Sequence, residues 1–222
     1  MGRDIAIETA FGLVDGWLAE PEDAPRGSLV VVQEVFGVNE HIRCVTERFA
    51  ASGFRALAPA LFDPVQADVE LGYDEAGLAR GRELAAETGF ERAVAIVDAA
   101  RRRLAGNGGK IGVAGYCWGG SVAFLANTRL GLPAVSYYGA RTMPFIDEPL
   151  RAPMLFHFGA EDPTTPAADI RTTRERHPQA EVHVYPGAGH AFNREVDPAH
   201  YHPGSAALAQ QRTLAFFATQ LG

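Results

Sequence analysis

The stretch Gly112-Val113-Ala114-Gly115-Tyr116-Cys117-Trp118-Gly119-Gly120 decides the fold. Residues 110–114 read as a buried strand, and the apolar run from 118 to about 128 reads as a helix. A strand turning sharply into a helix around Gly-x-nucleophile-x-Gly is the nucleophile-elbow pattern, here with cysteine where serine is commoner. The glycines follow from sterics. The nucleophile occupies a strained backbone conformation, and side chains two residues to either side would run into neighbouring chain. A helix beginning at Trp118 turns its free amides and positive end toward the Cys117 sulfur, favouring thiolate over thiol and negative charge on a substrate oxygen. Standing alone, the pattern also fits a buried structural cysteine beside a turn, since free cysteine is among the most buried residue types. The choice between the two depends on partners.

Outward from this turn, short apolar runs alternate with longer amphipathic segments, the rhythm of an α/β fold. Residues 28–33 form a predicted buried strand, and Asn39 is placed to cap a helix running to about residue 51, ended by Gly53. Residues 55–58 make the next strand, closed by Pro59. Periodicity is weak over 59–77, which predicts a long loop, and a helix over about 78–104 follows, with a break near Gly89. Later strands are expected at 133–137, 154–158 and 181–185, and a helix at 205–220 closes the chain.

The partners come in order. An elbow fold sets an acid after a later strand and a histidine after the last one. Met154-Leu155-Phe156-His157-Phe158-Gly159 is a strand ending in a turn that delivers Asp162, followed by Pro163. Val182-His183-Val184-Tyr185-Pro186 is the last strand, and Gly187-Ala188-Gly189 leads to His190. Open parallel sheets set their active sites at C-terminal strand ends, so Cys117, Asp162 and His190 converge as candidate catalytic residues. Competing groups fit worse. Glu161 diverges from Asp162 in a tight turn, Asp169 falls within the following helix, and His157 and His183 lie inside strands. His177 suits a helix end, where the dipole favours it. His200 and His202 are loop residues, and with His190 they lack the cysteine or carboxylate spacing of a metal site, so no metal and no cofactor is expected. Cys44, near Val45 and Phe49 in the first helix, reads as a buried, inert thiol.

Composition bounds these readings. A chain of 222 residues, 47% of them apolar, has the length of one α/β domain, taken as 1–222, whose core needs no metal or disulfide staple. Twenty basic against 27 acidic residues give a net charge of −7, which repels phosphate backbones and anionic lipid. Nucleic acid and membrane are therefore poor partners, whereas local arginines can still attract a small anion. Two cysteines argue against a secreted disulfide scaffold. The N-terminus has no signal-peptide core and the apolar runs fall short of membrane-spanning length, so a cytoplasmic monomer or small homo-oligomer is expected.

Gly-Tyr-Cys-x-Gly-Gly at 115–120, Gly-x-x-Asp-Pro at 159–163 and Gly-x-x-His-x-Phe at 187–192 resemble the dienelactone hydrolase family, as do Gln33-Glu34-Val35-Phe36-Gly37 and Ala56-Leu57-Ala58-Pro59. The resemblance spans about 5–220, with 62–80 departing from the family's pattern. It implies an α/β-hydrolase fold: a mostly parallel central sheet, helices on both faces and no separate lid domain. It also implies that Cys117 attacks a lactone carbonyl while His190 shuttles protons and Asp162 orients the imidazole. In the family, a glutamate in the position of Glu34 holds the resting thiol unreactive until substrate reorganises it. Glu34 is placed for such work on its own terms, as a charged residue ending an apolar strand. The resemblance further implies an oxyanion hole from the backbone amides of Val35 and Trp118. Arginines would grip a substrate carboxylate: Arg194, four residues after His190, and Arg80 or Arg82 near the start of the long helix. Tyr73 and Tyr137 are further candidates for lining the site. The expected substrate is a small carboxylate-bearing lactone or enol-lactone. The alternatives are a broad-specificity esterase for small esters, and a redox-sensing thiol protein, for which a resolving cysteine near Cys117 is missing.

Overall fold

A computed structural model describes residues 2–106 and 109–222. Eight strands are found among them: β1 (Arg3–Thr9), β2 (Gly12–Ala19), β3 (Ser28–Val32), β4 (Arg55–Pro59), β5 (Ile111–Tyr116), β6 (Ala134–Tyr137), β7 (Met154–Gly159) and β8 (Glu181–Tyr185). They form one sheet in the order β1-β2-β4-β3-β5-β6-β7-β8. The β1/β2 and β2/β4 pairs are antiparallel, and every later pair is parallel. Helices α1 (Glu40–Ala51), α2 (Glu75–Ala105), α3 (Trp118–Leu130), α4 (Ala167–Arg176) and α5 (Pro203–Leu221) cover both faces.

The two faces follow from strand alternation in the central strands, which are apolar on both sides. Val30 and Val32 of β3 join Val113, Phe156 and Phe158 in a core shared with α2 and α3. Leu29 and Val31 point the other way, with Ala114, Val135 and Leu155, into a core closed by α1 and α5. Each such fully buried aliphatic side chain contributes about 1.5–3 kcal/mol.

The first two helices start at capping side chains. Asn39 caps α1, its Oδ1 accepting from the Ile42 amide at 3.4 Å. Asp74 caps α2, accepting from Gly77 N at 2.7 Å, so this helix begins at Glu75, a turn earlier than the weak periodicity indicates. Its break falls at Gly89, whose φ of 68° no neighbouring side chain could adopt cheaply. The expected loop over 59–77 is a packed strap: Leu61 and Phe62 are fully buried, and Leu71 N donates to Phe36 O at 3.0 Å. The β1/β2 hairpin is not predicted by periodicity. It rests on Ile7, Val14 and Leu18, which alternate onto the α2–α3 core.

Candidate active site

Cys117 sits at the joint between β5 and α3 with φ 54° and ψ −120°, a conformation that side chains other than glycine rarely take. Its amide donates to Tyr137 O at 3.0 Å, and its carbonyl accepts from Gly120 N at 2.9 Å. The neighbouring glycines are required by close approach. A side-chain carbon on Gly115 would overlap Gly119 O, and one on Gly119 would overlap the carbonyls of Val32 and Gln33. The tightness of the elbow is what presents the half-buried sulfur at the sheet's C-terminal edge.

The ends of β7 and β8 bring two further groups to that sulfur. His190 Nε2 lies 3.2 Å from Cys117 Sγ, and His190 Nδ1 lies 2.8 Å from Asp162 Oδ2. The first oxygen of Asp162 accepts from both the amide (2.8 Å) and the hydroxyl (2.6 Å) of Thr164. The same Thr164 hydroxyl oxygen is 2.9 Å from His190 Nδ1, so it accepts a second branch of that N–H. Burial works against the imidazolium, but the Cys117 sulfur and the Asp162 carboxylate outweigh it and lift the His190 pKa to about 10. Burial likewise opposes ionisation of Asp162, yet the hydrogen bonds from His190 and Thr164 hold its pKa below the ordinary value. Tyr138, with φ 41°, sets its ring edgewise against His190 at 5.1 Å and helps fix the imidazole plane.

Glu34 is fully buried two residues past the end of β3. Arg194 meets it with a two-pronged ion pair, Nε to Oε2 at 2.9 Å and Nη2 to Oε1 at 3.1 Å, while Nη1 donates to Asp197 Oδ2 at 3.0 Å. The guanidinium lies against the rings of Tyr73 (4.3 Å) and Phe36 (5.0 Å), which meet edge to face 4.8 Å apart. Tyr73 is itself held by Asn39, whose Nδ2 donates to its hydroxyl at 2.9 Å. Burial pushes the Glu34 pKa up, but Arg194 and the nearby His41 outweigh it and bring it below the usual carboxylate value.

A cavity of about 490 Å³ opens over this cluster. Cys117, Trp118, Val35, His190, Arg194 and Arg82 all border it. Among the described residues, neither the Val35 amide nor the Trp118 amide has an acceptor within the protein. Of the two arginines expected on the segment before and within α2, only Arg82 reaches the cavity. Arg80 turns to Glu83 (2.9 Å) and Gln66 (2.7 Å) instead. Tyr73 lines the cavity, whereas Tyr137 is buried under α5, its hydroxyl 2.6 Å from Thr213 Oγ1.

The other candidates fall where their chemistry allows. His157 is buried between Thr213 Oγ1 (2.9 Å) and the Tyr185 hydroxyl (2.8 Å). His202 caps α5 through Ser205 N, and His200 pairs with Asp197 at 2.7 Å. Cys44 is half-buried rather than enclosed, and burial pushes its thiol pKa up. His177 does end α4, but burial lowers its pKa, the opposite of what a dipole-held imidazolium would show. Sequence reasoning missed Thr164, Asp197 and Arg141. Thr164 left a signal, because a threonine two residues after Asp162 is where an aspartate side chain closes a local turn. Arg141 left none.

This sheet order, with an elbow after β5 and the cavity at the C-terminal strand ends, is that of an α/β hydrolase. The dienelactone hydrolase family model matches residues 14–221, and the chain belongs to that family; it is a hydrolase. Carboxymethylenebutenolidase of Pseudomonas putida is 32% identical over 226 residues, covering 96% of this chain and 95% of the relative. An Escherichia coli K12 protein provisionally named carboxymethylenebutenolidase is 35% identical over 214 residues, covering 88% of this chain and 78% of the relative. A crystal structure from Klebsiella pneumoniae, provisionally named a dienelactone hydrolase, superposes with a TM-score of 0.86 at 31% identity, covering 98% of each chain. No helix among the described residues is long and apolar enough to cross a membrane.

Proposed function

We propose that this hydrolase opens a small carboxylate-bearing lactone or enol-lactone through a thioester on Cys117. The observation that carries the proposal is the continuous chain Cys117 Sγ, His190 Nε2, His190 Nδ1, Asp162 Oδ2, with links of 3.2 and 2.8 Å, at the floor of the cavity. Cys117 Sγ attacks the carbonyl carbon, and the carbonyl π-electrons move onto oxygen. The amides of Val35 and Trp118 stabilise that oxyanion, each such donor being worth about 3–4 kcal/mol in the transition state. Collapse breaks the ring C–O bond, and the departing oxygen takes the proton from His190. Water then gives its proton to His190 and adds to the thioester carbon, Sγ leaves, and the ring-opened acid is released. Asp162 holds the imidazole in the tautomer both steps need. In this proposal Arg82 attracts the substrate carboxylate, Arg194 being held by Glu34 and Asp197, and the enzyme needs no cofactor.

The apolar cavity wall of Leu78, Ala85, Ala86 and Phe90 favours a second reading, a broader esterase for small neutral esters. A substrate panel separates the two. On the first reading, kcat/KM for carboxylate-bearing lactones exceeds that for neutral lactones and p-nitrophenyl esters of equal size by at least tenfold. Equal rates across the panel would favour the esterase.

A further inference from the structure

One face of α2 forms a wall of the cavity. Leu78, Arg82, Ala85 and Ala86 recur at helical spacing, and Leu78 to Ala86 spans about 12 Å at 1.5 Å per residue, with Phe90 beyond the break at Gly89. The cavity is thus longer than a five-membered lactone. Tyr73 and Arg194 border it beside each other, ring to guanidinium 4.3 Å, and Phe90, Trp118 and Arg141 border it as well. Phe90 lies 6.0 Å from Trp118 and 5.0 Å from Phe145, four residues after Arg141.

The charges along this cavity are unbalanced. Three arginines border it, and no aspartate or glutamate is among the described residues that do. The Arg194 charge is met by Glu34 and Asp197. Arg82 and Arg141 have no carboxylate within ion-pairing distance among the described residues, whereas Arg43, Arg80 and Arg129 each pair with a glutamate. Arg141 stands on a fixed backbone. Its amide donates to Ser121 Oγ at 3.0 Å, that hydroxyl bonds Thr142 Oγ1 at 3.0 Å, and Thr142 Oγ1 donates to Gly139 O at 3.0 Å. Ser121 and Thr142 are buried, so α3 holds this turn while the Arg141 side chain extends to solvent at the cavity.

We infer that Arg141 forms a second anion subsite, and that the preferred substrates carry two carboxylates separated by an apolar middle. One carboxylate lies toward Arg82, the scissile carbonyl lies over Cys117, and the other carboxylate is received by the planar fork of Arg141. The inference rests on the cavity being the substrate site of the Cys117 chemistry proposed above.

A matched pair of esters tests it. Phenyl hemisuccinate carries one carboxylate, and 4-carboxyphenyl hemisuccinate carries a second one on the leaving group. The expected result is that Arg141→Ala lowers kcat/KM for the dianion at least tenfold more than for the monoanion, mainly through KM, with Arg141→Lys recovering part of the loss. Equal losses on both esters would overturn the subsite. Calorimetric binding of both esters to Cys117→Ala, with and without Arg141→Ala, separates this from the chemistry. If the wild type hydrolyses neither ester but Cys117→Ala prefers the dianion in an Arg141-dependent way, the subsite stands and the thioester reading falls. Binding that ignores Arg141, or no measurable binding of either ester, overturns the subsite.

Discussion

Glu34 and Arg194 are joined by two parallel hydrogen bonds of 2.9 and 3.1 Å between buried side chains 160 residues apart in sequence. Both carboxylate oxygens are thereby committed to the guanidinium. The family resemblance implies that a glutamate here restrains the resting thiol; in this structure the hydrogen-bond partner of the Cys117 sulfur is His190. The pair joins the end of β3 to the loop after β8, tying together the two segments that contribute Val35 and His190.

Removing one partner strands a buried charge. Arg194→Met is expected to cost about 3–5 kcal/mol of stability, measured by urea unfolding, because the Glu34 carboxylate loses its counter-charge. Glu34→Leu combined with Arg194→Met is expected to regain most of that loss, since an apolar pair of similar volume needs no compensation. A double variant no more stable than Arg194→Met would contradict this account of the pair.

The raised pKa of His190, about 10, keeps a proton on the imidazole beside Cys117 throughout the neutral range. An NMR titration of the His190 ring should therefore show no loss of its proton between about pH 6.5 and about pH 9. Asp162→Asn, which removes one of the groups that raise it, should move the ring's titration to lower pH. A wild-type ring that titrates near the ordinary 6.5 would contradict the raised value.

Much of the site was legible because its demands are local. The glycines flanking Cys117, the turn that delivers Asp162 and the glycines before His190 each leave a mark at fixed spacing. Arg194 is located by the family resemblance, but its saturation by Glu34 and Asp197 is a tertiary fact. The capping aspartate that starts α2 at Glu75 was overlooked because residues 59–77 carry no period. The β1/β2 hairpin alternates weakly, with one apolar face and one exposed face at the sheet edge, and such a pattern is short in any window. Arg141 gave no signal, since nothing in its neighbours' sequence tells of the Ser121 and Thr142 hydroxyls that fix it.

Thr164 is a positioning residue: its hydroxyl donates to Asp162 and accepts from His190. Thr164→Val removes both contacts at nearly constant volume. The expected result is a drop in kcat of about tenfold with KM little changed, and a shift in the pH dependence of kcat/KM, because general-base efficiency follows the imidazole's pKa. Thr164→Ser should restore both. A variant that alters only thermal stability would assign Thr164 a structural role alone.

Glu195 predicts an acid-dependent contribution to stability. Burial raises its pKa, but His41 and Arg48 outweigh that and bring it to about 2, from an ordinary 4.5. A carboxylate depressed in the folded state stabilises fully above its unfolded pKa and loses that contribution as pH falls through the folded one. The contribution at neutral pH is up to about 3 kcal/mol. Glu195→Gln should therefore be less stable than the wild type at pH 7, and the gap should narrow below pH 4.5. A gap independent of pH, measured by urea unfolding across this range, would contradict the assignment.

The central claim is that Cys117 becomes acylated. The most direct measurement is mass spectrometry of the enzyme quenched in acid within milliseconds of mixing with an activated ester. The account predicts an added acyl mass on the peptide containing Cys117, labile to hydroxylamine as a thioester is. That mass should be absent in Cys117→Ala, together with turnover, while the circular dichroism spectrum stays unchanged. Hydrolysis that persists in Cys117→Ala, or an acyl group found on another residue, would contradict it.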